Sequence, residues 1–124
     1  MQERLRRYRQ VGEMLVSLGL VYVVVKLLKV LVAHPRPFES ITDITALVSA
    51  TSLESFPSMH AALTMALAIS MLLHKRHLGH LLVAFSLVVS LSRLYVGVHY
   101  PFDIGIGLLI GYLIPKLIHR ICKK

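Results

Sequence analysis

The chain has 124 residues, of which 56% are hydrophobic, and its mean hydropathy is +0.70. This length favours a single domain, and this composition excludes an ordinary soluble domain, so the lipid bilayer is the expected solvent. The formal net charge of +8 would suit a nucleic-acid-binding protein, but the cations are segregated along the chain and need no nucleic acid to explain them.

Four apolar runs predict an all-α fold, an integral membrane bundle of about four transmembrane helices. A membrane-spanning helix needs about 20 apolar residues, and the second run is marginal unless Ser58 and its neighbours extend it. We treat the whole chain, residues 1–124, as one membrane-embedded domain. Its predicted spans cover residues 11–33, 58–73, 78–98 and 102–121, and its predicted external loop covers residues 34–57.

The basic residues indicate which membrane face each connection occupies. They cluster before the first run, between the second and third runs, and after the fourth. With a cytoplasmic amino terminus all three clusters lie in the cytoplasm, as the positive-inside rule expects. Both termini are then cytoplasmic, and the candidate site falls on the external face. The clusters are Arg4, Arg6, Arg7 and Arg9, then Lys75 and Arg76, then Lys116, Arg120, Lys123 and Lys124.

Three cations lie close to the end of the first run. An ionisable group within a span usually faces a bundle interior, a cavity or the interface. Lys29 is within one turn of the outer end and can reach an external site, whereas Lys26 lies deeper and is better interpreted as a structural cation. Arg36 follows in a connection that two flanking prolines stiffen. Taken alone, Arg36 would be interpreted as a surface residue in a turn.

The segment from Phe38 to Phe56 is long for a connection and could cover a lipid head group as a lid or binding loop. Its acidic residues Glu39, Asp43 and Glu54 lack metal-ligand spacing, and we interpret them as ordinary loop charges.

The pentapeptide FPSMH follows this segment. Ser58 suits the N-cap of the second helix, whose first amides would form an anion site. His60 would project from the first turn, where it can protonate a leaving oxygen if the fold brings it opposite His99. A capped helix beside an unrelated histidine is an equally good interpretation of this pentapeptide alone.

The remaining connections and the fourth run carry features that we assign to structure. Three histidines lie in HKRHLGH, residues 74–80, but the segment is basic and predicted to be cytoplasmic, so we interpret it as a solvated turn. Gly107 and Gly111 form a GxxxG spacing that allows close helix packing. Pro115 is expected to kink or end the fourth helix. Cys122 is the only cysteine, so no internal disulfide can form.

The most distinctive segment is SRLYVGVHYPFD, residues 92–103. Proline is tolerated at the first position of a helix, so a helix is expected to begin at Pro101 and leave His99 just outside it. Asp103 then falls in the first turn, where it can reach back toward the His99 ring. The guanidinium group of Arg93 is permanently charged and suited to binding phosphate. Together, Arg93, His99 and Asp103 suggest phosphoryl chemistry. A capping aspartate beside an unrelated histidine is the less favoured alternative.

Three segments together resemble the signature of the type 2 phosphatidic acid phosphatase superfamily. The first is a lysine followed, after six intervening residues, by Arg-Pro (residues 29–37). The second is PSMH (residues 57–60), and the third is Ser-Arg followed, after three intervening residues, by GxHxxxD (residues 92–103). Each segment alone is weak evidence for the family, but the order of the three segments and their predicted placement on one membrane face make the combined evidence strong.

The resemblance implies a role for each matching residue. His99 would be the nucleophile that forms a phosphohistidine, Asp103 would orient it, and His60 would be the general acid for the leaving group. No metal or other cofactor is then required, because cations stabilise the charge on the transferring group. The residues implied to bind the phosphoryl oxygens are Lys29, Arg36, Ser58 and Arg93.

Two departures from the family pattern stand out. Membrane members usually have six spans, and the four predicted here leave either a more open substrate groove or a groove completed by a second copy in a homo-oligomer. Met59 stands where the family often has glycine, which affects the local backbone geometry and the fit of the head group.

The expected function is that of a plasma-membrane lipid phosphatase acting outside the cytoplasm. The segments HPRPF, SFPSMHA and RLYVGVHYPFD look most like the branch that converts undecaprenyl diphosphate to undecaprenyl phosphate in cell-wall synthesis. Phosphatidylglycerophosphate and phosphatidate are the alternative substrates.

Two other classes of function fit the sequence less well. One is a vanadate-binding haloperoxidase, whose members are soluble, and the other is a non-catalytic membrane scaffold or lipid-binding module. The expected partners are a lipid phosphate and the bilayer, without nucleic acid.

Overall fold

The computed structural model describes residues 1–37 and 55–124. These two ranges contain four helices: α1 (Gln2–Val32), α2 (Met59–Leu73), α3 (Leu78–Tyr95) and α4 (Pro101–Lys123). Within the described ranges, α1, α3 and α4 are long and apolar enough to cross a membrane, whereas α2 is a shorter apolar helix. The predicted all-α membrane bundle is therefore confirmed. The suggested lid and the three loop carboxylates lie outside the described residues.

The helix ends differ from the predicted spans in ways that local chemistry explains. α1 begins at Gln2 rather than at residue 11, because the basic amino-terminal segment is rich in arginine, glutamate and glutamine, which are good helix formers. α3 ends at Tyr95, shortly before Gly97, whose φ of 81° suits a chain reversal. α4 continues through the buried Pro115 to Lys123, so of the two predicted effects, a kink or the end of the helix, the end of the helix is excluded.

α2 is the central helix, and it contacts each of the other three. Its sequence is rich in alanine, which lets neighbouring backbones approach. The buried core between α1 and α2 consists of Val21, Val25, Ala62 and Ala66, and Ile110 and Ile114 of α4 pack against it. The outward faces of the long helices carry exposed leucine, valine and phenylalanine side chains, as expected of surfaces that face lipid.

The two glycines of the GxxxG spacing set the distance between α2 and α4. A Cβ atom added at Gly107 would lie 2.6 Å from the carbonyl oxygen of Ser58, and one added at Gly111 would collide with the carbonyl oxygen of Ala62. Both positions therefore exclude a side chain. This close approach places the first turn of α4 beside the first turn of α2.

The two ends of the bundle carry different kinds of residue. The end of α1, the start of α2, the end of α3 and the start of α4 lie together, and they carry the residues of the predicted site. The opposite end carries the basic clusters, and there Arg9 Nη2 of α1 donates a hydrogen bond to the carbonyl oxygen of Cys122 in α4 at 2.8 Å.

Replacing Gly111 with alanine should lower the thermal stability of the bundle in detergent. The added methyl group must push α4 away from α2, and overpacking of this kind costs about 1–3 kcal/mol. Gly105→Ala is the matched control, because nothing lies within 4 Å of the added atom and the position is in the same helix. Equal melting temperatures of the two variants would contradict the proposed packing.

Candidate active site

His99 and Asp103 meet at the start of α4. The helix begins at Pro101, as predicted, and His99 lies just outside it. The His99 Nδ1 atom is 3.5 Å from Asp103 Oδ2, and both side chains are buried. This is an ion-pair distance rather than a short hydrogen bond, and Nδ1 has no closer partner among the described residues. A carboxylate is thus positioned to orient the imidazole.

The same carboxylate also caps the helix. Asp103 Oδ2 accepts a hydrogen bond of 2.7 Å from the backbone amide of Tyr100. The Ser55 side chain hydrogen-bonds the carboxylate as well. The sequence leaves capping of the helix and orientation of His99 as alternatives, and in the structure one carboxylate is positioned for both.

Ser58 ties the start of α2 to the start of α4. It is the N-cap of α2, as predicted, and its Oγ accepts a hydrogen bond from the Ala61 amide at 3.3 Å. Its own amide donates to the carbonyl oxygen of Asp103 at 3.0 Å. The Ser58 hydroxyl proton can still be donated, and the first amides of a helix have no acceptor within it.

Arg36 is buried, contrary to the interpretation that its turn alone suggested. Its side chain is 4% exposed, and Nη1 donates a hydrogen bond of 2.8 Å to the carbonyl oxygen of Val98. This bond fixes the residue immediately before His99. Lys29, at the end of α1, is also buried at 5% exposure, whereas Lys26 is exposed and lies over the Tyr22 ring.

The predicted site residues converge although they come from four parts of the chain. His60 is exposed on the first turn of α2, and the charged groups that act on it electrostatically are Arg93, His99, Arg36 and Lys29. The Arg93 Nε atom is buried and has no hydrogen-bond partner within the described residues. An unsatisfied guanidinium donor beside two imidazoles and two further cations is an environment suited to an anion.

The environment of His99 favours its neutral form. Burial is the largest influence and lowers the pKa of His99, and the cationic Arg36 and Lys29 lower it further. The Asp103 carboxylate opposes them, because it stabilises the protonated ring. The net pKa lies below the ordinary value of histidine, so the ring is neutral, and therefore able to act as a nucleophile, at neutral pH.

A profile described as the PAP2 superfamily matches residues 10–124. The chain belongs to the PAP2 superfamily. The family suspected from the three sequence segments is therefore confirmed. Among curated relatives, the undecaprenyl-diphosphatase BcrC of Bacillus subtilis is 39% identical over 87 residues, which make up 70% of this chain and 45% of BcrC.

Two solved structures resemble the fold. Aquifex aeolicus LpxE superposes with a TM-score of 0.81 at 29% identity, over 92% of this chain and 69% of that one. A PAP2-type phosphatidylglycerolphosphate phosphatase from Bacillus subtilis gives a TM-score of 0.70 at 26% identity, over 89% of this chain and 57% of that one. The chain spans about half the length of the curated relatives it matches first.

Ser55 is a site residue of this PAP2 chain that sequence reasoning missed. It is fully buried, its Oγ lies 3.1 Å from His34 Nδ1 and 3.3 Å from the Pro35 carbonyl oxygen, and its amide donates to the His34 carbonyl oxygen. These contacts brace the segment that carries Arg36. The only signal in the sequence was that Ser55 lies close to PSMH, and proximity alone does not predict such contacts.

An apolar cavity of about 860 Å³ is lined in part by Asp103. The Phe56 and Phe102 rings in its wall stack with centroids 5.4 Å apart. Met59, at the position where the PAP2 family often has glycine, begins α2 and packs against the α1–α2 core. The polar site is thus adjacent to a space suited to hydrocarbon.

Replacing Asp103 with asparagine should lower the pKa of His99 further. The carboxylate is the main group that stabilises the protonated ring, and asparagine removes its charge while keeping its shape. Titration of the His99 ring resonances by NMR measures this value directly, without any assay of activity. An unchanged or raised midpoint in the variant would show that Asp103 does not act on the ring as described.

Proposed function

We propose that this chain is a membrane lipid phosphatase that hydrolyses the terminal phosphate of undecaprenyl diphosphate through a phosphohistidine on His99. The observation that carries the proposal is the buried pair of His99 and Asp103 facing a group of cations. Membership of the PAP2 superfamily and the similarity to BcrC support the reaction and the substrate class.

In the proposed reaction the Nδ1–H of His99 is directed at Asp103, which leaves the lone pair on Nε2. Nε2 attacks the terminal phosphorus and forms an N–P bond, and the bond from phosphorus to the bridging oxygen breaks. His60 gives a proton to that oxygen, so that undecaprenyl phosphate leaves. His60 then accepts a proton from water, whose oxygen bonds to phosphorus while the N–P bond breaks. This step releases inorganic phosphate and returns the electron pair to His99 Nε2.

The cations of the site stabilise the charge that develops on the transferring group. Arg93 offers its unsatisfied Nε donor, and Ser58 can donate its hydroxyl proton. Lys29 adds positive charge from the last turn of α1, and Arg36 adds it from the connection that follows. Arg36 also positions the backbone before His99 through Val98. Such preorganised donors can replace a metal ion, and we therefore propose that hydrolysis is metal-independent.

A lipid is favoured over a soluble phosphate ester by the apolar cavity next to Asp103. A prenyl chain could occupy this cavity while its diphosphate reaches the cations. Phosphatidylglycerophosphate is the second candidate substrate, because a phosphatidylglycerolphosphate phosphatase is among the structural neighbours.

We propose that the site faces the exterior of the cell and that both termini are cytoplasmic. The basic clusters lie at the bundle end opposite His99, and the positive-inside rule assigns that end to the cytoplasm. The four helices would then form one membrane-embedded domain. A homo-oligomer that completes the substrate groove stays a prediction.

His99→Ala should reduce phosphate release from undecaprenyl diphosphate to background, and His60→Ala should reduce it by about 10²–10⁴-fold, the usual contribution of a general acid. Both are measured with a chelator present. His77→Ala, which removes an exposed histidine at the opposite end, should keep the parental rate. Activity that survives in His99→Ala, or that the chelator abolishes in the parent without lowering its melting temperature, would overturn the mechanism.

Phe102→Ala should raise the KM for undecaprenyl diphosphate more than for a water-soluble short-chain diphosphate. Its ring lines the cavity proposed for the lipid chain, and the short substrate does not need that cavity. Phe85→Ala is the control, because this exposed ring of α3 does not line it. Equal effects on both substrates would place the lipid chain elsewhere.

A further inference from the structure

Three side chains from different parts of the bundle converge at the end opposite the candidate active site. They are Glu13 of α1, His74 at the carboxyl end of α2, and His119 of α4. Glu13 Oε2 lies 2.9 Å from His119 Nδ1 and 3.2 Å from His74 Nε2. All three ligand atoms lie within 4.8 Å of one another. The interpretation of the histidine-rich turn as fully solvated is therefore wrong for His74, whereas His77 and His80 are exposed.

The two carboxylate oxygens of Glu13 have different partners. Oε1 pairs with Arg9 Nε at 3.2 Å, and Arg9 is held in turn by the carbonyl oxygen of Cys122. Oε2 faces the two imidazoles. Glu13 is 7% exposed on a helix long enough to span a membrane, and an ionisable group in such a position is a candidate functional residue.

We propose that Glu13, His74 and His119 form a binding site for a divalent transition metal of the Zn²⁺ type. Zn²⁺ binds histidine nitrogen and carboxylate oxygen at about 2.0–2.2 Å, which in a tetrahedral site separates neighbouring ligand atoms by about 3.3 Å. The distance of 3.2 Å to His74 is close to this separation, and the distance of 2.9 Å to His119 would have to lengthen by about 0.4 Å to admit the ion. Two imidazoles favour such a metal over Mg²⁺ or Ca²⁺, which prefer oxygen ligands.

A fourth ligand can reach the metal from an adjoining cavity of about 530 Å³. Three protein ligands and one open position for water or an anion are a common arrangement for zinc. Four cations line this cavity, namely Arg6, Arg9, Lys75 and Lys123, and Arg76 acts electrostatically on His74. Their charge opposes a dication and favours an anionic fourth ligand, so we expect weaker binding than in a buried structural zinc site.

The site would link the helices at the end of the bundle opposite the candidate active site rather than take part in hydrolysis. Its ligands come from α1, α4 and the end of α2, so a bound ion would link three elements. Glu13 and Lys29 are sixteen residues apart on α1, which at 1.5 Å per residue separates the two sites by about 24 Å. The proposal therefore does not depend on the proposed function.

Titration of the chelator-stripped full chain in detergent with ZnCl₂ tests the site. Calorimetry should show saturable binding of one equivalent, and the melting temperature should rise with zinc. Glu13→Gln, His74→Gln and His119→Gln should each lower the affinity by more than about tenfold, since even loss of an outer-shell partner costs that much. His77→Gln and His80→Gln, exposed histidines of the same turn, are the controls and should bind as the parent does.

A second measurement keeps the test decisive if a glutamine variant does not fold. Co²⁺ in place of Zn²⁺ should give the parent the intense visible absorption of a tetrahedral ion, and His99→Ala should show the same spectrum. A spectrum like that of hydrated, octahedral Co²⁺ would overturn the proposal. The absence of saturable zinc binding would also overturn it, as would zinc binding that is retained by folded variants of all three ligands. Glu13, His74 and His119 would then only share protons through hydrogen bonds.

Discussion

The hydrogen bond from the Ser58 amide to the Asp103 carbonyl oxygen joins the two helix starts on which the candidate site is built. It can form only because Gly107 has no side chain, since any Cβ atom there would meet the Ser58 carbonyl oxygen. With the helix starts joined, one turn of α4 directs Asp103 at His99, and one turn of α2 presents His60 to the same region. The catalytic arrangement that we propose is thus a consequence of how closely two helices pack.

The electrostatics of the site follow from this packing. Lys29 and Arg36 are buried near His99, and the buried Nε of Arg93 has no partner within the described residues. A buried guanidinium donor without a partner is costly, and an anionic group that accepts a hydrogen bond from Arg93 Nε relieves that cost. Lys29 and Arg36 also help to keep His99 neutral. Binding of a phosphoryl group and nucleophilicity of the imidazole would therefore have a common physical origin.

Short-range features of the site could be predicted from the sequence, and long-range features could not. Pro101 fixes the start of α4 through its own ring, Ser58 caps the helix that follows it, and Asp103 reaches His99 within one turn. The GxxxG spacing predicted close packing but not the partner helix. Contacts such as Ser55 with His34, or Glu13 with His74 and His119, join segments far apart in sequence, and no local pattern specifies them.

Family resemblance extended the prediction in a different way. It selected Lys29 and Arg36 as members of one site, although an isolated arginine between prolines would have been assigned to the surface. The structure buries both residues near His99, which local sequence rules did not require.

The shortness of α2 bears on where chemistry could take place in a bilayer. Fifteen residues rise about 22 Å, less than the hydrocarbon thickness of about 30 Å. If the turn after Leu73 lies at the water interface on one side of the membrane, the first turn of α2 lies several ångströms below the interface on the other side. The alternative is that the bilayer thins around the helix. A lipid head group would then reach His60 and His99 by moving sideways and slightly inward, without its tail leaving the leaflet.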